Sequence, residues 1–229
     1  MQNMTFRKRS APSVADHLHG GKNGPRYGMR SGIAAKNAGE TDMQFQGVDY
    51  GSKMAGTTAM CWQEGSRLQV RQSEKNHDAD EFVIKMIRDT NPQRLYLDAP
   101  LSLPSVYNTG KGDDYFYREC DRELGAMSPM FLGGLTARAI KLRDQLVKSG
   151  IEVYEVYPAA LVRILSIGEF YKKDLNRFRM VLEGLFHLEV AAITNWHQVD
   201  AALAWFVGER HRKQQYRSYG RQNEGIILV

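Results

Sequence analysis

Apolar residues along this chain fall into short runs early and into helical stripes later. Phe45–Tyr50, Thr57–Trp62 and Leu68–Arg71 read as three short strands punctuated by Gly51, Gly56 and Gly65. The links between them are too short for helical crossovers, so they predict an antiparallel meander. Ala79, Phe82, Val83, Met86 and Ile87 then recur at helical spacing, with Asp78 or Asp80 placed to serve the first turn. Leu95–Asp98 predicts a fourth strand, stopped by Pro100. A helix separates it from the meander, so it is expected to run parallel to one of those strands.

A long polar loop follows, ending in Gly110–Asp114, and Tyr115–Leu124 predicts a helix. Thr136 fits the N-cap of the next helix, with Leu135, Ala139, Leu142 and Leu146 on one face and Gly150 closing it. Ile151–Tyr157 predicts a fifth strand, halted by Pro158. Leu161–Leu165, Leu175–His187 and Val190–Phe206 predict helices, the last with Val199, Ala202, Leu203 and Phe206 as its buried stripe. Residues 209–224 hold five bases and two acids, ahead of a short apolar ending at Gly225–Val229. The resulting order, β-β-β-α-β-α-β-α, predicts an α/β protein with a mixed five-stranded sheet and helices on both faces. That is the order of the ribonuclease-H-like fold.

Composition changes this picture at one end. Residues 1–42 hold seven bases and three acids, six glycines and two prolines, but only five residues from Leu, Ile, Val, Phe, Trp and Tyr. Such a segment buries too little apolar area to offset its ordering entropy, so it is expected to be a disordered basic extension ahead of a domain over residues 43–229. It is Arg-rich like a transit peptide, yet its glycines argue against an amphipathic helix. The full chain carries +5, but four of those charges lie in the extension and the domain is near neutral. No run approaches the roughly 18 apolar residues of a membrane span, and there is no apolar stretch of a secretory leader. Cys61 and Cys120 show no metal spacing. A cytoplasmic setting is the expectation.

Three aspartates carry the candidate chemistry. Asp49 lies in the first strand, Asp98 ends the fourth, and Asp200 sits in the last strong helix. In a meander-then-crossover sheet the first and fourth strands can be neighbours, and a late helix across the sheet can add Asp200. Converging carboxylates repel one another, so such a site calls for cations; Mg²⁺ and Mn²⁺ take hard oxygen ligands and share them with phosphate oxygens. Each acid also has a plainer reading. Asp49 and Asp98 can make turns, before Tyr50-Gly51 and Ala99-Pro100, and Asp200 can be a solvated helix acid.

Several segments resemble one family in order along the chain. They are Gly47-Val48-Asp49-Tyr50-Gly51-Ser52-Lys53-Met54-Ala55-Gly56-Thr57-Thr58, Leu97-Asp98-Ala99-Pro100, Arg118-Glu119-Cys120-Asp121, Leu135-Thr136-Ala137-Arg138-Ala139, Glu155-Val156-Tyr157-Pro158 and His197-Gln198-Val199-Asp200-Ala201. They resemble the domain of unknown function 429 family of ribonuclease-H-like nucleases, from about residue 46 to 208. The resemblance implies that fold, a distant likeness to RuvC-type junction resolvases, and Asp49, Asp98 and Asp200 as metal-binding acids. Two departures are visible. RuvC-type sites usually place a glutamate on the fourth strand, where this chain has Asp98, and many carry two acids on the last helix, where this chain has His197 one turn before Asp200.

The remaining candidates each have two readings. His197 is placed to ligate metal, orient water or bind phosphate, or else to be a solvated or capping residue. Glu155 in the fifth strand is either a further metal ligand or buried and paired. Lys53 and Arg138 are placed to contact substrate anions, or to be an exposed turn lysine and a paired arginine. Arg118 and Asp121 suit an ion pair at i, i+3. The leading expectation is a Mg²⁺- or Mn²⁺-dependent nuclease acting on DNA or RNA. The alternative is a catalytically inactive scaffold that binds nucleic acid or a protein partner. Gly-x-Asp-x-Gly-Ser also resembles the first phosphate loop of actin-like kinases; those duplicate the fold, so that reading needs a homodimer sharing one site.

Overall fold

The computed structural model describes residues 44–229, and the extension expected over residues 1–42 lies outside them. Strands β1 (Phe45–Asp49), β2 (Ala59–Glu64) and β3 (Arg67–Gln72) form the expected antiparallel meander. Helix α1 (Ala79–Thr90) is capped by Asp78, whose carboxylate accepts from Asp80 N, and carries the chain over to β4 (Arg94–Asp98). β4 pairs parallel with β1, so that expectation holds. Three short helices follow, α2 (Ser105–Thr109), α3 (Glu119–Leu124) and α4 (Pro129–Leu132), then α5 (Gly134–Lys148) and β5 (Glu152–Val156), parallel to β4. The chain closes with α6 (Pro158–Ile164), α7 (Leu175–Phe186), α8 (Trp196–Arg212), β6 (Ser218–Arg221) and β7 (Gly225–Leu228).

The sheet has seven strands in the order β3-β2-β1-β4-β5-β7-β6, rather than five. The basic stretch after residue 209 and the apolar ending form a hairpin that adds β7 parallel to β5. Three helix limits also differ from the sequence pattern. Only Glu119–Leu124 of the 115–124 segment is helical, because Asp114 accepts from the backbone of Phe116 and Tyr117 and turns the chain there. Thr136 lies inside α5 instead of capping it, buried and donating to Pro129 O at 2.7 Å. The last helix begins at Trp196, capped by Asn195 Oδ1 on Gln198 N.

Two cores cover the two faces of the sheet. On one, Val83 and Ile87 of α1 and Ala139, Leu142 and Leu146 of α5 pack on Val48, Leu95 and Leu97. On the other, Leu161, Phe178, Leu182 and α8 pack on Cys61, Leu68 and Tyr96. Alternation along β1 and β4 therefore sends Val48 and Leu97 to the first face and Gly47, Asp49, Tyr96 and Asp98 to the α8 face. Among the described residues no helix is long and apolar enough to cross a membrane.

Candidate acidic site

The site is built where β1 and β4 end beneath α8. Asp49 and Asp98 are direct partners in the parallel register, so both carboxylates leave the same face at adjacent strand ends. Gly47 lets α8 reach that face, since a Cβ there would lie 2.0 Å from Trp205 N and 2.3 Å from Ala201 O. The start of α8 is pinned to β3 by Gln72 Oε1, which accepts from Asn195 Nδ2 at 2.9 Å and Gln198 Nε2 at 3.2 Å. One turn of that helix then presents His197 and Asp200 over the two strand ends.

The partners of the acids differ. His197 Nδ1 lies 2.7 Å from Asp49 Oδ2. A carboxylate only accepts, so the proton of this bond sits on Nδ1. The bond to Asp49 raises the His197 pKa, while burial raises that of Asp49. Asp200 is buried, and both its oxygens are taken: Tyr171 Oη donates to Oδ1 at 2.7 Å and Lys172 Nζ to Oδ2 at 2.5 Å. Asp98 accepts no hydrogen bond and makes no ion pair among the described residues. Burial first, and then the charges of Asp49, Asp200 and Glu155, push its pKa well above the usual carboxylate value.

Asp98 also lines a cleft of about 210 Å³ with Met127, Leu132, Leu135, Glu155 and Tyr157. A larger hollow of about 770 Å³ lies by the start of β1, lined in part by Phe45, Trp62 and Arg210, and holds none of the three aspartates. The smaller cleft holds Asp98, the unpartnered acid, but neither Asp49 nor Asp200.

The structure brings together Asp49, Asp98, Asp200 and His197 and sets the other candidates apart. Glu155 pairs in register with Leu97, which sets it on the α5 face of the sheet, opposite to that of Asp98, although both line the cleft. Arg118 Nη1 and Nη2 take both its oxygens at 2.7 and 2.6 Å, and Leu101 N donates to Oε2 at 2.8 Å. Both its oxygens are thus engaged, as the buried and paired reading expects. Lys53 Nζ sits 2.9 Å from Asp78, the α1 cap. Arg138 pairs with Asp80, donates to Gly51 O at 3.1 Å and lies over the Tyr50 ring. Lys53 and Arg138 thus fasten the turn after β1 to α1 and α5 and do not reach into the acidic site.

Tyr171 and Lys172 were not among the residues singled out in the sequence. They lie in a turn before α7, and no periodicity distinguishes such a lysine from a solvated one.

One consequence is measurable without any ligand. The native pKa of Asp98 exceeds its unfolded value, so ionising this group costs stability, and the cost disappears as pH falls through the native value. Asp98→Asn is therefore expected to melt a few degrees higher than the parent at pH 8 in chelator, with the gap closing toward acid pH. Equal melting temperatures of the two chains at pH 8 would contradict the repulsion.

Among the described residues no group of three or more His, Cys, Asp and Glu side chains is arranged to hold a metal ion, and Asp49 and Asp200 are paired with His197 and Lys172. In comparisons with protein-family models and with curated proteins the chain matches none, so the meaning of this site rests on its own residues.

Proposed function

We propose that this chain is a divalent-metal-dependent nuclease of the ribonuclease-H-like type, hydrolysing nucleic-acid phosphodiester bonds at Asp49, Asp98 and Asp200. The observation that carries the reading is the register pairing of Asp49 with Asp98 beneath Asp200, with Asp98 left unpartnered among like charges. The strand order β3-β2-β1-β4-β5, antiparallel up to β1 and parallel beyond it, supports the same fold and the suggested kinship with the domain of unknown function 429 family.

The donor chemistry fits Mg²⁺ or Mn²⁺: hard carboxylate oxygens, one of them without a counter-charge, and an ammonium standing beside Asp200 as a protein-borne cation. Asp49, Asp98 and Asp200 would hold the ion, which supplies Lewis-acid polarisation of a phosphoryl oxygen. The chain's own groups do the rest. Asp49 orients the His197 ring through Nδ1 and leaves Nε2 as the nitrogen able to exchange a proton with solvent or substrate. Its side chain is 43% exposed, which permits that exchange. Tyr171 fixes the rotamer of Asp200.

The binding-scaffold reading has one observation in its favour: Asp49 and Asp200 are already paired with protein partners, so the cluster persists without metal. Mn²⁺-dependent cleavage of labelled single-stranded, duplex, hybrid and branched substrates separates the two. Asp49→Asn is expected to lower the rate by more than the roughly 10–100-fold that loss of an outer-shell partner costs. A folded parent chain that cleaves none of the four substrates favours the scaffold.

A further inference from the structure

Lys172 occupies an unusual position for a lysine. Its backbone is left-handed, φ 59°, a conformation that side chains other than glycine adopt at a cost. Lys173 N and Asp174 N both donate to Phe170 O, at 3.0 and 2.9 Å, and hold the turn in that shape. The turn delivers two consecutive side chains, Tyr171 and Lys172, to the two oxygens of one carboxylate, Asp200. The ammonium also lies 5.2 Å from the Tyr171 ring centre and 5.7 Å from that of Trp196, so aromatic faces line its place. Its charge favours ionisation of Asp49 and Asp98 as well, which sets it among all three acids.

We infer that Lys172 is a resident counter-cation of the acidic site, one that a divalent metal displaces from Asp200 on binding. The inference rests on the metal reading given above and names its regulation. Fully ionised, the three aspartates carry three negative charges. A divalent ion supplies two of the three balancing charges; an ammonium retained at Asp200 would set a positive charge against the incoming ion and keep Oδ2 occupied. Lys172 is able to leave, because its side chain is 45% exposed while that of Asp200 is 11% exposed. Tyr171, by contrast, contributes a neutral hydrogen bond and offers no electrostatic competition.

The test is Mn²⁺ binding to the nucleic-acid-free chain, by calorimetric titration and by the paramagnetic resonance signal of free Mn²⁺. Lys172→Met is expected to bind Mn²⁺ up to about fivefold more tightly than the parent, the change that losing a weak competing ion pair produces. The same variant is expected to melt lower than the parent in chelator and to recover that difference in Mn²⁺. Lys172→Gln carries the same expectation and serves if the methionine variant does not fold. Tyr171→Phe should leave the affinity within about twofold of the parent, which a merely structural role for the turn would not predict. Parent and lysine variants binding Mn²⁺ with equal affinity, or the variants binding it more weakly, overturn the displacement inference alone. No Mn²⁺ binding by any of these folded chains overturns the metal reading and this inference with it.

Discussion

Arg118→Met is expected to destabilise the protein by about 3–5 kcal/mol at neutral pH, the cost of stripping one partner from a buried ion pair. Arg118 is wholly buried and clamps two acids at once. It donates to Asp121 from Nε at 3.0 Å and Nη2 at 2.6 Å, and to Glu155 from Nη1 and Nη2. Its Nη1 also reaches Ser102 Oγ at 2.8 Å, so one guanidinium joins α3, β5 and the loop after β4. Methionine fills similar volume and cannot neutralise either carboxylate. Burial already raises the Glu155 pKa and Arg118 opposes that rise, so without the guanidinium Glu155 favours protonation; an acid whose native pKa lies above its unfolded value loses stability as pH rises through it. The deficit against the parent should therefore shrink between pH 7 and pH 4.5. Urea midpoints at the two values measure it. A deficit below about 1 kcal/mol, or one that grows toward acid, would show that the carboxylates find other partners.

Gly47→Ala is expected to be nearly as damaging, at about 3 kcal/mol, the upper part of the range for overpacking a filled core. The clash is with backbone atoms of α8 at 2.0 and 2.3 Å, and backbone cannot rotate away as a side chain can. Relief requires α8 to lift from β1, which carries His197 and Asp200 away from Asp49. The variant should thus lose Mn²⁺ affinity along with stability. Gly184, exposed on α7 with nothing near its Cβ position, is the matched control. Alanine there should raise stability by about 0.5–1 kcal/mol through helix propensity. If both glycine variants unfold at the parent's urea midpoint, the close approach of α8 to β1 is not as tight as described.

The outcome at each candidate residue follows from how far its partner lies along the chain. Asp49 and Asp98 were legible because strand ends can be read from apolar runs and stops, and a helix between two strands makes parallel pairing the natural result. Asp200 was legible once its helix was placed across the sheet. Glu155 could not be decided from its strand alone, since alternation makes it face one side or the other, and its contact with Arg118 spans 37 residues. Lys53 and Arg138 carry the right charge for a substrate anion, yet nearby acids of α1 claim both.

Periodicity, turn residues and spacing thus determined the element types, the antiparallel meander, the parallel β4 and the three aspartates at the head of the argument, because these depend on short-range backbone preference and on which positions are apolar. Tertiary structure decided the rest. The strands of the β6–β7 hairpin are too short, at four residues each, to declare themselves, and the hairpin exists because β5 offers an edge for β7 to pair with. The counter-charges of the site depend on folding distance: His197 comes to Asp49 across 148 residues and Lys172 to Asp200 across 28. Charge attracts charge without regard to sequence order, so only packing of α8 and its preceding turn against the strand ends selects which cation meets which acid.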